Sequence, residues 1–335
     1  MAVERVAVLV LAYGGPASLD EVGPFLGRIM APRVPSPEAI ARAVERYRAI
    51  GGRSPLVEGT LAFAGKLQDR LEAAAAEREG ASGRTTTFHV ITGMRHTEPY
   101  IAGAVEQAFS HADRVVALVM ASHQSERATG GYAKDVHAAY EALPSSLRDG
   151  KSPPVFARSW HRTAAYVGAV ADAARAALER LSERVALAET LVVFTAHSVP
   201  LGGAGGDSEY EGSLRETAED VARLLDAVTW RLAFQSRSPG GSHDWLGPAS
   251  EDVLRQAAGD GVRGVAVVPL GFVSENLETL YDLDIELARF ADDAGLEMER
   301  AATVQGSEGF VSTLVDVVFA HLRTDPRIVE KEVGH

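Results

Sequence analysis

The chain has 335 residues, 46% hydrophobic and 24% charged, with a net charge of −13 and no cysteine. That is the balance of a globular protein with more chain than one core usually serves, so two domains are expected. The acidic charge argues against nonspecific nucleic-acid binding, and the lack of cysteine excludes disulfides, zinc–thiolate sites and cysteine-held iron–sulfur clusters.

The first element is an apolar run from Val6 to Ala12 that stops at Tyr13-Gly14-Gly15-Pro16. It is too short to cross a membrane and carries no signal-peptide cleavage pattern, so it reads as a buried strand. No later run approaches ~18 apolar residues, so no transmembrane segment is expected. With no export signal and no cysteine, a cytoplasmic protein is expected. Further strands are predicted over 86–92, 114–120 and 154–157, then over 190–195, 229–235, 264–269 and 296–301. Their near-continuous apolar character is that of strands buried on both faces. Between them lie helical periods, such as Leu61, Ala64, Leu67 and Leu71, or Leu214, Ala218, Val221 and Leu225. The alternation implies two similar halves, each a parallel sheet covered by helices.

In open parallel sheets ligands bind beyond the carboxyl ends of the strands. Tyr13, Gly93, Ser122–His123, His197, Gln235 and Gly271 all fall at such ends. His197 closes the segment Phe194-Thr195-Ala196-His197-Ser198-Val199-Pro200. An imidazole there is either a hydrogen-bonded turn residue or a ligand and proton acceptor. The glycine-dense stretch 202–206 beside it reads as a mobile loop or a plain connector. Further on, Glu278, Asp282 and Glu286 recur every four residues and should share one helix face. Either that face is solvated or its like charges meet something positive in a cleft, where at least one pKa would be raised. Gly-x-Gly-x-x-Gly, the Walker lysine pattern and Gly-x-Ser-x-Gly are absent, which leaves nucleotide binding and a serine hydrolase weakly supported. The histidines at 89, 111, 137, 161, 243, 321 and 335 show no ligand spacing and are taken as structural or surface residues.

Several blocks, in order along almost the whole chain, resemble one family. They are Ala12 to Pro16, Arg46-Tyr47 through Ile50-Gly51-Gly52-Arg53-Ser54-Pro55-Leu56, and Gly93-Met94-Arg95-His96-Thr97-Glu98-Pro99-Tyr100. Then come Phe194 to Pro200, Gln235-Ser236 with Trp245-Leu246-Gly247-Pro248, and Gly271-Phe272-Val273 through Leu277-Glu278-Thr279-Leu280-Tyr281-Asp282. The chain is similar to the ferrochelatases, which insert Fe(II) into a porphyrin.

The resemblance implies an α/β protein of two Rossmann-like domains, each a four-stranded parallel sheet flanked by helices, in a class II chelatase-like fold. The first domain would take residues 1–150 with a returning C-terminal helix in 304–335, and the second residues 151–303 with the metal site. His197 and Glu278 fall on the family's catalytic metal-site pair, and Asp282 and Glu286 on a path for protons or cations. Tyr13, Arg46, Arg53, Ser54, His96, Ser122 and Tyr132 fall near the porphyrin cleft or a peripheral cation site. Tyr13 matches members that act on coproporphyrin III. Fe2+ would be substrate, haem the product, no cofactor resident, and the protein a monomer. Two departures stand out: Glu275-Asn276 replaces the family's common Asp-His, and Ala121 to Arg127 lacks the usual proline. They bear on porphyrin orientation more than on chemistry.

Insertion must remove two pyrrole protons and strip water from the metal. Holding the macrocycle bent would expose a lone pair, with His197 and Glu278 accepting protons on one face and Tyr13 on the other. Coproporphyrin III carries four carboxylates, so Arg46, Arg48, Arg53, Arg95 and Arg127 are candidate anchors. Protoporphyrin IX as substrate, a chelatase for another metal and tetrapyrrole, and a non-catalytic two-lobed carrier of haem or metal are the rival readings. A carrier has no use for a proton path, which favours the enzyme.

Overall fold

The computed structural model describes residues 3–82, 85–123, 129–157, 159–201, 207–226, 228–237 and 244–323. The stretch 202–206 and Arg127 lie outside them.

All eight predicted strands are present. The first sheet has the order β2-β1-β3-β4, from β1 (Val3–Ala12), β2 (Thr85–Met94), β3 (Arg114–Val119) and the short β4 (Val155–Phe156). The second has the order β6-β5-β7-β8, from β5 (Thr190–His197), β6 (Thr229–Gln235), β7 (Gly264–Val268) and β8 (Glu297–Arg300). Every pairing is parallel, so the connections cross over through helices.

The side-chain alternation within the strands explains why apolar runs were needed. Val6, Val8 and Val10 of β1 face one core, while Ala7, Leu9 and Leu11 face another. The second of these is covered by α4 (Ile101–His111) and α5 (Gly130–Glu141). In β5, Val192, Phe194 and Ala196 face the same core as Val6, while Leu191 and Val193 pack under α9 (Ser250–Gly259) and α10 (Ala288–Asp293). The central core is shared by both halves. Into it pack α3 (Leu56–Ser82), α7 (Ala164–Ser182), α8 (Asp207–Arg223) and α11 (Glu308–Arg323). Phe310 of α11 lies 5.1 Å from Phe63 of α3 and 5.4 Å from Trp160, ring centre to ring centre. The last described helix therefore ties the two sheets together. Truncating Phe310 or Trp160 to alanine would cost about 3–5 kcal/mol.

Two shorter helices, α1 (Val22–Met30) and α2 (Pro37–Ala49), follow β1, and α6 (Ser145–Arg148) precedes β4. In α2, Ser36 caps the first turn by accepting from the Ala39 N–H at 3.2 Å. The helix bearing the acidic row differs from the expectation of an ordinary α-helix. Residues Glu278–Leu287 form a π-helix. Such wide turns are uncommon and are found mostly as single turns at functional sites. The four-residue spacing of the acids does not distinguish the two helices, so the pattern could not reveal it.

Candidate active site

The apolar run of β5 ends at His197, where Ser198 turns the chain. The Ser198 N–H donates to the Gln235 carbonyl at 2.8 Å, and its buried hydroxyl donates to the Leu246 carbonyl at 2.7 Å. Tyr210 on α8 donates from its hydroxyl to the His197 carbonyl at 3.3 Å. Behind the histidine, Gly271 donates its N–H to the Thr195 carbonyl at 3.0 Å. A Cβ at Gly271 would lie 2.7 Å from the Ala196 Cβ, so only glycine permits this approach.

The π-helix then brings Glu278 to the imidazole. His197 Nδ1 and Glu278 Oε2 are 2.9 Å apart, and the two side chains keep 41% and 32% of their surface exposed. The pair is therefore hydrogen-bonded yet open. Burial pulls the imidazole toward its neutral form, but the charge and hydrogen bond of Glu278, with Asp282 behind it, leave its pKa above the ordinary value. Burial works against ionised Glu278, and the His197 and Arg46 cations more than compensate, so its pKa falls. Both shifts favour the imidazolium–carboxylate form of the pair.

One turn further, Asp282 is held by residues from two directions. Arg46 of α2 ion-pairs with it, and the Ser236 hydroxyl donates to its other oxygen. Burial dominates here, and Asp282 is harder to ionise than a free aspartate: its pKa is raised despite Arg46 and Ser236, with Glu278 adding to the effect. Glu286 is exposed. With Asp282, Ser236, Arg237 and Ser250 it lines a cavity of ≈ 350 Å³. That cavity lies at the outer end of the acidic row, not over the His197–Glu278 pair. The row thus runs from a histidine-paired carboxylate with a lowered pKa, through a buried one with a raised pKa, to one at the surface.

Facing this row from the first sheet is Tyr13. It stands at the end of β1, just before Gly14, whose φ of +87° and close contact with Thr97 admit no side chain. The Tyr13 ring lies 4.5 Å from His96 and 6.4 Å from Phe25. Burial raises the phenol pKa, Arg95 offsets part of that, and the Glu278 charge adds to it, which places Tyr13 within electrostatic reach of the row. Burial and the Arg95 cation hold His96 below the ordinary histidine range.

The remaining predicted residues divide. Ser54 is buried behind the Gly14–Gly15 turn, and its N–H donates to the Pro16 carbonyl at 2.9 Å. Arg53 beside it is exposed, 3.4 Å from Glu58. Arg48 is exposed and paired with Glu45. Tyr132 is buried under the Arg95 guanidinium, 5.3 Å from ring centre to Cζ, and Arg95 also grips Asp135 at 2.7 Å. The Ser122 hydroxyl is turned inward to His123 Nδ1 and the Tyr166 hydroxyl, both at 2.9 Å. The structure therefore brings together Tyr13, Arg46, His96, His197 and the acidic row. Ser236 and Tyr210 were not anticipated. Ser236 sits one residue beyond β6 with a φ of +63°; the Gln235-Ser236 block marked the position but gave it no role.

Among the described residues, no group of three or more His, Cys, Asp or Glu side chains could hold a metal ion by itself. His197 and Glu278 offer two donors, so a metal there needs further donors from water or from a bound ring.

A family model for ferrochelatases matches residues 5–322. The chain belongs to the ferrochelatase family. It is 32% identical over 317 residues to the ferrochelatase of Herpetosiphon aurantiacus, covering 94% of this chain and 98% of that one. It is also 32% identical to coproporphyrin III ferrochelatase 1 of Bacillus cereus, covering 94% and 97%. Among solved structures, SirB of Bacillus subtilis with Fe3+ aligns at a TM-score of 0.57 and 10% identity over 94% of each chain, which bears on fold alone. The chain has the class II chelatase fold. As a family member it is a metal chelatase, a lyase that inserts metal into a porphyrin in haem biosynthesis, with Fe2+ as substrate. Having no cysteine, it holds no cysteine-ligated iron–sulfur cluster. No helix among the described residues is long and apolar enough to cross a membrane.

Proposed function

We propose that the porphyrin metallated by this chain is coproporphyrin III, and that His197 and Glu278 carry the proton and metal chemistry. The observation that bears most weight is the 2.9 Å pair of His197 Nδ1 and Glu278 Oε2, half open and leading into the acidic row. Tyr13 opposite them is the feature shared with members acting on coproporphyrin, and a relative bearing that substrate in its name supports the same choice.

The overall reaction exchanges two pyrrole protons for one Fe2+. In the proposed sequence the ring lies between Tyr13 and the His197–Glu278 pair. His197, once deprotonated, takes a pyrrole proton, and Glu278 stabilises the imidazolium that forms. Asp282, with its raised pKa, accepts the next proton and passes it to Glu286 and water. Arg46, Arg53 and His96 complete the porphyrin site, with arginines meeting propionates as bidentate partners, while buried Ser54, Ser122 and Tyr132 support its walls from behind rather than touch the ring. The division into lobes of 1–150 with 304–335, and of 151–303, belongs to the same proposal; β4 pairs with β3 and would carry the first lobe a few residues further. A monomer acting in the cytoplasm completes it.

The test is anaerobic metal insertion by the purified protein, with Fe(II) and either coproporphyrin III or protoporphyrin IX, followed by absorbance. Coproporphyrin III is expected to have the higher kcat/KM. A preference for protoporphyrin IX sinks the substrate assignment, and turnover of neither supports a carrier.

A further inference from the structure

The first turn of the π-helix is held by Asn276, Thr279, Glu275 and Arg300, none of which lines the cavity. A π-helix leaves its first N–H groups without helical acceptors. Asn276 supplies one: its Oδ1 accepts from the N–H of Glu278 at 2.8 Å and of Thr279 at 3.2 Å. The Asn276 N–H donates in return to Thr279 Oγ1 at 3.0 Å. The Thr279 hydroxyl donates to Glu275 Oε2 at 2.8 Å. The other oxygen of Glu275 accepts from Arg300 Nη1 at 3.0 Å and the Thr303 hydroxyl at 3.1 Å. Arg300 is the last residue of β8 and only 14% exposed. Its far edge grips Asp284, Nη2 to Oδ2 at 2.8 Å.

Arg300 thus clamps one residue just before the helix and another six residues past Glu278. That fixes the helix both along its axis and in rotation about it. The Gln235 amide also donates to the Glu278 carbonyl at 3.3 Å. Both backbone polar groups of Glu278 are therefore held by side chains, which sets the direction in which its carboxylate points. Glu275 and Asn276 are the two positions where this chain departs from the common Asp-His pattern. An amide oxygen can accept two N–H groups at once and does not titrate near neutral pH.

We propose that Asn276, Glu275 and Arg300 are positioning residues that act on metal insertion through Glu278, and that in this chain Asn276 is the cap that aims it. This rests on the reading of Glu278 as a catalytic group. Without the cap the porphyrin still binds, but Glu278 is no longer held against His197 as the reaction begins. A displacement of about 1 Å can cost on the order of 10²-fold in rate.

The experiment compares Asn276→Ala, Asn276→Asp, Glu278→Gln and the double variant Asn276→Ala/Glu278→Gln, with single-turnover rates so that slow reactions are measured. Asn276→Ala is expected to lower kcat roughly ten-fold or more while porphyrin KM stays within about two-fold. Asn276→Asp keeps the accepting oxygens and is expected to recover most of the rate. In the Glu278→Gln background, Asn276→Ala is expected to add no further loss, because residues that act as a unit are not additive. An unchanged kcat in Asn276→Ala, or an equal loss in both backgrounds, overturns the proposal. If Asn276→Ala does not fold, Arg300→Lys in the two backgrounds gives the same comparison. A wild-type kcat in Glu278→Gln overturns the underlying reading, and is read separately from the cap.

Discussion

The guanidinium of Arg46, on α2 beside the first sheet, ion-pairs with Asp282 on the π-helix beside the second, and lies 4.8 Å from the centre of the Tyr281 ring. The two halves thus meet through charge at the outer side of the site. The Arg46 side chain keeps 35% exposure against 8% for Asp282, so the cation is far better hydrated than the carboxylate. This asymmetry is why burial wins over the ion pair in setting the Asp282 pKa.

A stability prediction follows for Asp282. A carboxyl whose folded pKa is raised favours the native state most below its unfolded value, and that contribution is lost as pH rises to the folded pKa. At neutral pH, ionised Asp282 is a net cost to folding. Asp282→Asn is expected to leave Tm equal to or above wild type at pH 7, while slowing metal insertion. Calorimetry and the insertion assay check both halves, and a clearly lower Tm contradicts the electrostatic account.

His197 also has a raised pKa, and its consequence is for rate. The proton-accepting form becomes dominant at a higher pH than for an ordinary imidazole, ~6.5. The acid limb of kcat/KM is expected to have its midpoint above that value. In Glu278→Gln the main raising influence is gone and burial remains, so the imidazole should titrate at lower pH. NMR titration of the His197 ring in the two proteins measures this directly. An unmoved or higher value in Glu278→Gln would show that Glu278 does not control the imidazole. The pair also stabilises the fold most between the ordinary carboxylate and imidazole values, about 4.3 and 6.5; the contribution fades as pH rises through the folded His197 pKa and as it falls through the folded Glu278 pKa.

Gly271→Ala tests the backbone behind the site. Its methyl would press on the Ala196 Cβ and Cα, at 2.7 and 2.8 Å, one residue from His197. Overpacking of this kind costs about 1–3 kcal/mol. A lower urea midpoint together with a slower insertion rate is expected, and wild-type values for both would mean that the loop shifts without moving the histidine.

His123 lies far from solvent between Ser122 and Thr217, with Nε2 3.1 Å from the Thr217 hydroxyl. Burial, then the neighbouring His161, push its pKa down to about 3. A depressed folded pKa gives stability that is complete above the unfolded value of ~6.5 and is lost as pH falls toward about 3. Wild type should therefore lose stability across this window more steeply than His123→Gln. Urea unfolding at several pH values decides it, parallel slopes being the contrary result.

The strands were legible because a strand buried on both faces must be apolar at every position, as Val6 to Leu11 and Leu191 to Phe194 are. His197 and Glu278 were legible as a strand-end histidine and a charged ridge that wants a cation. Their meeting at hydrogen-bond distance was not, because 81 residues separate them and only the β5–β6–β7 register brings them together. The π-helix was hidden because acids four apart nearly share a face in either winding. Arg46 was visible as a charge, but whether it meets Asp282 or substrate is a matter of tertiary placement. Asn276 carried a usable signal: a cap-forming residue two positions before the first acid of a helix.

The most direct measurement is anaerobic insertion of Fe(II) into coproporphyrin III by wild type, His197→Ala and Glu278→Gln, with circular dichroism on each protein. Each substitution is expected to reduce turnover by on the order of 10²-fold or more with the fold retained. Near wild-type rates in both variants would remove the imidazole and its carboxylate from the chemistry.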